Sequence, residues 1–295
     1  MYIATGFSLR SVKTTLGRLT YAAPTDFWES DVARQPLVFF HGFGGGSSSY
    51  EWSQVYPAFA ADFVPLAPDL IGWGNSDHPD RVYAVEDYLQ TIAEFLEAVC
   101  DRPVSVIASS LTGAMMIRVA IARPELFKSL ILVAPAGLSD FGKDYTRSFF
   151  AQLVSTPILD RVLYSSVLAT SGGIRGFLEQ RQFAQSDRVS EEIVAAYLAS
   201  AQQPNADRAA LSFVRGDLCF DLAEYIDRLT TPTALLWGTQ SQFTPVEIGR
   251  QLAEKNPKAI RYFETIPDVG LTPQLEVPAV TVGLIQKLLP QLELA

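Results

Sequence analysis

Short, continuously apolar runs alternate with helix-length segments along this chain, and few folds accept that order. Leu37–Phe40 and Phe63–Ala67 are short apolar runs, Val104–Ala108 and Leu130–Val133 read as buried strands, and Ala234–Trp237 and Ala259–Phe263 read as strands. Between them, Val85, Tyr88, Leu89, Ile92, Phe95, Leu96 and Val99 repeat at three and four, which is the spacing of an amphipathic helix. Leu111–Ala122, Val246–Lys255 and Val277–Leu289 also read as helices, and so does the aromatic stretch Tyr50–Ala60. Buried strands joined by helices require right-handed crossovers and a mainly parallel sheet. Upstream, Phe7–Ala22 reads as two strands turning at Gly17.

The alternation stops at about Leu138 and resumes after Leu229. The intervening stretch has no clear buried strand and is rich in Phe, Leu, Tyr and Ala, and connections inside a domain are normally only a few residues. The expected organisation is therefore an α/β core over residues 1–137 and 230–295, with an inserted helical cap over 138–229. A chain of 295 residues with 48% hydrophobic and 19% charged residues has ample material for that core.

Charge and composition remove several function classes. The net charge of −9 argues against nucleic acid as a partner. No apolar run is long enough for a transmembrane segment, and the first residues lack the pattern of a signal peptide, so a cytoplasmic protein is expected. The two cysteines, Cys100 and Cys219, suit neither a disulfide framework nor a metal site. No cofactor and no metal are expected. Nothing in the sequence fixes an oligomeric state.

Three motifs carry chemistry. In Val104–Gly113 a strand runs into a helix through Ala108-Ser109-Ser110-Leu111-Thr112, the layout of an elbow that lifts a serine hydroxyl above a sheet. His41-Gly42-Phe43-Gly44-Gly45-Gly46 follows a core strand, where a glycine-rich loop frees backbone N–H groups to face an oxyanion. Asp69–Asp77, a turn with Gly72 and Gly74, follows the next strand.

These motifs, in this order, resemble the α/β-hydrolase superfamily, and most closely its cap-bearing esterases, haloalkane dehalogenases and epoxide hydrolases. The resemblance implies an α/β-hydrolase fold: a mostly parallel eight-stranded sheet with an inserted helical cap. It implies Ser110 as the elbow serine and the N–H groups of Phe43 and Leu111 as the oxyanion donors. It also locates two departures. Trp237-Gly238-Thr-Gln-Ser241 and Pro245 match the loop that bears the family's acid, and Ser241 stands in the acid's place. Gly270-Leu271 and Glu276-Val-Pro278 match the histidine loop, and Leu271 stands where the histidine would follow the glycine. The chain holds only two histidines, His41 in the oxyanion loop and His78 beside Pro79.

A serine hydroxyl is a weak nucleophile without a base to take its proton. Leucine cannot supply one. The expected function is therefore non-hydrolytic, with a small apolar ligand or a partner bound where cap meets core. His41, Ser109, Phe149 and Phe150 are the pocket candidates, and Leu153, Ile158, Leu159, Leu163 and Tyr164 add apolar surface nearby. Two alternatives stand beside it. One is an esterase-like hydrolase or a lyase with an unconventional base (His41, Asp140 or Glu179). The other is a structural protein whose pocket is filled by its own side chains.

Overall fold

The computed structural model describes residues 2–25, 34–142 and 164–293. β1 (Phe7–Thr14) and β2 (Gly17–Pro24) form an antiparallel hairpin, closed by Thr14 opposite Gly17. β3 (Gln35–Phe40), β4 (Phe63–Pro68), β5 (Val104–Ser109), β6 (Phe127–Val133), β7 (Thr233–Gly238) and β8 (Ile260–Ile266) follow. They assemble into one eight-stranded sheet in the order β1-β2-β4-β3-β5-β6-β7-β8. From β4 to β8 every pairing is parallel, and only β2 runs against the rest. Every residue of β5 and β7 is buried, whereas the edge strand β8 keeps partly exposed residues along most of its length. Central parallel strands covered by helices on both faces have this profile.

The helices follow the apolar spacing. α1 (Val85–Val99) buries Val85, Tyr88, Ile92, Phe95 and Leu96. α2 (Ser110–Ala122) is buried almost all round and starts at the elbow serine itself. The stretch expected as one helix over Tyr50–Ala60 is instead two short 3₁₀ turns, Ser49–Trp52 and Tyr56–Phe59. Pro57 lies inside the second and has no N–H to donate to an α-helical ladder.

Between β6 and β7 the described residues carry helices and no strand: α3 (Ser171–Phe177), α4 (Glu191–Ala201) and α5 (Ala206–Arg215), with π-helical turns at Tyr164–Leu168 and Leu178–Gln182. One isolated bridge, Leu138 with Phe220, joins the two ends of this insertion. Phe149, Phe150, Leu153, Ile158, Leu159 and Leu163 lie outside the described residues. α6 (Val246–Lys255), the single turn α7 (Pro273–Glu276) and α8 (Pro278–Glu293) complete the chain.

Candidate active site

Adjacent strands bring the elbow and the glycine-rich loop together. Phe40, the last residue of β3, pairs with Ala108 of β5, so the chain beyond each strand leaves the sheet at the same edge. Ser109 is still extended, but Ser110 has φ of 54°, a left-handed conformation that costs a non-glycine residue on the order of 1–3 kcal/mol. Gly42 runs close beside it: a methyl group there would sit 3.2 Å from both Ser109 Oγ and Ser110 Cβ. Only glycine accepts that approach without displacing the serines.

The loop is anchored by aromatic packing. The Phe43 ring is buried against Trp73, Tyr88 and Phe213, with centroids 5.1, 4.9 and 6.0 Å away. Leu111 occupies the first turn of α2, where an N–H has no carbonyl of its own helix to meet. His41 is fully buried, and both its nitrogens are engaged. Nε2 accepts from the Leu70 N–H at 3.0 Å, which leaves Nδ1–H to donate to the Gly42 carbonyl at 2.7 Å. This imidazole holds the loop and has no lone pair left for Ser110. The reading of His41 as a base is corrected on that ground.

The loops after β7 and β8 are packed backbone against backbone. A methyl group on Gly238 would collide with the carbonyls of Val269 and Gly270. Thr239 N–H donates to Ile266 O at 3.0 Å, and Gln240 N–H to Val269 O at 2.9 Å. Ser241 is buried and its hydroxyl pairs with Thr244 Oγ1 at 3.2 Å. Leu271 is buried in the apolar core, and its N–H donates to Gln182 O at 2.8 Å. Glu276 accepts from Gly270 N–H at 2.7 Å and Ala184 N–H at 2.9 Å, and pairs with Arg188 at 3.2 Å. The scaffold of both loops is intact, and neither Ser241 nor Leu271 brings a titratable group to it.

The other candidate bases are committed elsewhere. Glu179 pairs with Arg175 at 3.3 Å. His78 Nε2 meets the Gly74 carbonyl at 3.1 Å, and burial lowers its pKa. The Asp140 carboxylate accepts from the N–H groups of Gly137 (3.0 Å) and Leu222 (2.8 Å), which fastens together the two ends of the helical insertion. Asp140 is thus a structural clamp, which corrects its reading as an unconventional base. Burial outweighs these hydrogen bonds and pushes its carboxyl up to about 6. The unfolded chain titrates this group near 3.9, so its contribution to stability is full below about pH 4 and lost as pH rises through 6. The shift corresponds to about 3 kcal/mol. Urea unfolding at a series of pH values is expected to show wild type losing about that much more than Asp140→Asn between pH 4 and pH 8.

One residue of the site carries no sequence signal. Glu51, on the first 3₁₀ turn, is 1% exposed and lies behind the glycine-rich loop. Its Oε2 accepts from Gly42 N–H at 3.0 Å and Gln274 Nε2 at 3.4 Å, and its Oε1 from Tyr197 O–H at 3.1 Å. Tyr197 in turn accepts from Gln182 Nε2 at 3.0 Å. Burial and the Glu51 carboxylate hold the Tyr197 phenol well above its ordinary pKa, so it stays a donor. The methyl position on Gly42 that touches both serines is 3.7 Å from Glu51 Oε2, so a buried carboxylate flanks the elbow. Above the loop, Phe177 packs on Gly44 and meets Phe243 in a tilted pair with ring centroids 5.9 Å apart.

Comparison with known proteins gives one consistent result. The family model described as the alpha/beta hydrolase family matches residues 37–284. The 2-hydroxy-6-oxo-6-(2'-aminophenyl)hexa-2,4-dienoic acid hydrolase of Metapseudomonas resinovorans is 25% identical over 255 residues, 83% of this chain and 80% of that protein. The karrikin insensitive 2 receptor IA of Petunia hybrida is 24% identical over 253 residues, covering 84% of this chain and 88% of the receptor. Among solved structures, the epoxide hydrolase CorEH superposes with a TM-score of 0.77 at 21% identity, over 95% of this chain and 98% of that one.

Proposed function

The chain belongs to the alpha/beta hydrolase family, and from that premise we propose that it is a non-hydrolytic member that binds a small, largely apolar ligand where the helical insertion meets the core. The observation that carries this reading is that among the described residues no histidine or carboxylate hydrogen-bonds the Ser110 hydroxyl. Leu271 and Ser241 stand at the histidine and acid positions, and both ring nitrogens of His41 are spent within the loop. Without a base, only binding and oxyanion donors remain. In serine proteases such a remnant gives roughly 10³–10⁴ over water, well below ordinary enzymatic accelerations. Phe43 and Leu111 N–H groups are the donors in this reading, and Ser110 is a contact residue. The relation to a protein named as a receptor supports a binding role on this fold.

The test is covalent. A fluorophosphonate probe is expected to leave Ser110 unlabelled after hours, and p-nitrophenyl esters of short and medium chain length are expected to turn over equally with wild type and Ser110→Ala. Labelling or turnover that disappears in Ser110→Ala would overturn the proposal.

A further inference from the structure

A cavity of about 180 Å³ lies between the helical insertion and the core. Its core wall is Ser48, Ser49, Gly74 and Asn75, and its other wall is the last turn of α4, with Ala199 and Ser200, and Gln203 just past it. None of Ser110, Phe43 and Leu111 lines it, so it is separate from the elbow. At roughly 30 Å³ per water molecule it has room for about six, which is too wide for one bare metal ion to meet both walls. Ser200 Oγ already ties the walls together, accepting from Gly74 N–H at 3.1 Å and donating to Ser47 O at 3.2 Å.

The sign of the charge it favours is set from behind the walls. Asp69 is fully buried, and a methyl group on Gly74 would collide with its carboxylate, so that charge lies against the cavity's own lining. Its donors, Ser49 N–H at 2.6 Å, Asn75 N–H at 2.7 Å and Asn75 Nδ2 at 3.1 Å, are neutral, and among the described residues no lysine or arginine pairs with it. Neutral donors offset the cost of a buried carboxylate only in part. The last turn of α4 adds the partial negative charge of a helix C-terminus and holds no basic residue to balance it. One turn before Ala196, another lining residue, Glu192 accepts from Tyr50 O–H at 3.4 Å; the Tyr50 ring meets that of Tyr2, which also lines the cavity, edge-on at 5.8 Å. No lysine, arginine or histidine lines the cavity. Its amides are turned to accept: Asn75 Nδ2 faces Asp69 and Gln203 Nε2 faces Ala199 O at 3.2 Å, which points both amide oxygens the other way. Ser48 caps its turn without a side-chain hydrogen bond.

We propose that this cavity binds a small amino alcohol as its cation, with the ammonium group on the Gly74–Asn75 side over Asp69 and the hydroxyls towards Ser48 and Gln203. An ammonium group brings several N–H donors and the missing positive charge, and hydroxyls suit side chains that both donate and accept. An anion of the same size meets the fields of Asp69 and of the α4 terminus and is repelled. The site is a second one, independent of the apolar ligand proposed above, and its occupant fastens α4 of the insertion to the core.

The probes are serinol, glycerol and glycerate, which share a three-carbon frame; serinol is glycerol with its central hydroxyl replaced by an ammonium group. Calorimetric titration at neutral pH is expected to show serinol binding at least tenfold more tightly than glycerol, and glycerate not binding. Ala199 is exposed on the last turn of α4, so Ala199→Lys puts a positive charge at the cavity where a helix end favours one, and the free protein should melt no lower than wild type. Serinol affinity should nevertheless fall at least tenfold in that variant. Ala199→Met has similar reach without the charge and should lose clearly less. Absence of serinol binding, equal binding of serinol and glycerol, or equal affinities in the Lys and Met variants would each overturn the proposal. Labelling of Ser110 is read separately, so the non-hydrolytic reading stands or falls on its own test.

Discussion

Replacing Glu51 with alanine is expected to destabilise the protein by about 3–5 kcal/mol, among the largest effects of any single side chain near the site. The carboxylate is where three segments meet: Gly42 of the glycine-rich loop, Tyr197 of α4 in the insertion and Gln274 of α7. Truncation strands an N–H, a phenol and an amide in a place with no water to receive them, and adds a cavity. Glu51→Gln keeps a carbonyl for Gly42 and an amide that meets Tyr197, so it should cost less than half as much. Chemical denaturation of both variants decides this. A loss under 1 kcal/mol for Glu51→Ala would mean that the carboxylate is held against its own preference, with its burial cost cancelling its hydrogen bonds. The direction of the difference between the two variants separates geometry from charge, because glutamine retains the first and removes the second.

How far the sequence reveals this molecule depends on whether information is local. The strands and the helices Val85–Val99 and Val246–Lys255 appear where the apolar period places them, because period reports burial directly. Ser110 was legible because strand, small residues and helix are contiguous there, and its φ of 54° follows from that sequence. Tyr50–Ala60 misled because its aromatic spacing suits a helix, whereas Pro57 and the close packing of Trp52 against Phe39 favour short turns. Asp140 read as a candidate base because nothing in the sequence shows its partners. The backbone amides of Gly137 and Leu222 that consume it come from opposite ends of a long insertion. Glu51 was invisible for two reasons. Glutamate is almost never fully buried, so pattern reading assigns it to the surface. Its partners also lie 9, 146 and 223 residues away, and only the fold brings them together.

The remaining prediction asks whether the family's chemistry can be restored, and it uses Glu51 as the discriminator. Leu271→His alone should give little, because Ser241 offers no carboxylate to orient the ring. Ser241→Asp combined with Leu271→His supplies base and acid on loops whose backbones are already locked by Gly238 against Gly270 and by Glu276 on Gly270 N–H. That pair should raise p-nitrophenyl ester hydrolysis roughly a hundredfold over wild type, in line with what general-base assistance supplies. It should fall short of a natural esterase for an electrostatic reason. On the proposed reading, acyl transfer would build negative charge on an oxygen near the Phe43 and Leu111 N–H groups, and Glu51 would place a second negative charge behind the same loop. Two like unit charges about 7 Å apart at an effective dielectric constant of about 20 repel by about 2 kcal/mol, or roughly thirtyfold in rate. Adding Glu51→Gln to the double variant should therefore increase kcat/KM by roughly that factor, and high salt should not reproduce the gain because the charge is buried. A fall in rate on adding Glu51→Gln would show that Glu51 supports the elbow more than it opposes the oxyanion, and would remove the electrostatic argument for the proposed non-hydrolytic role.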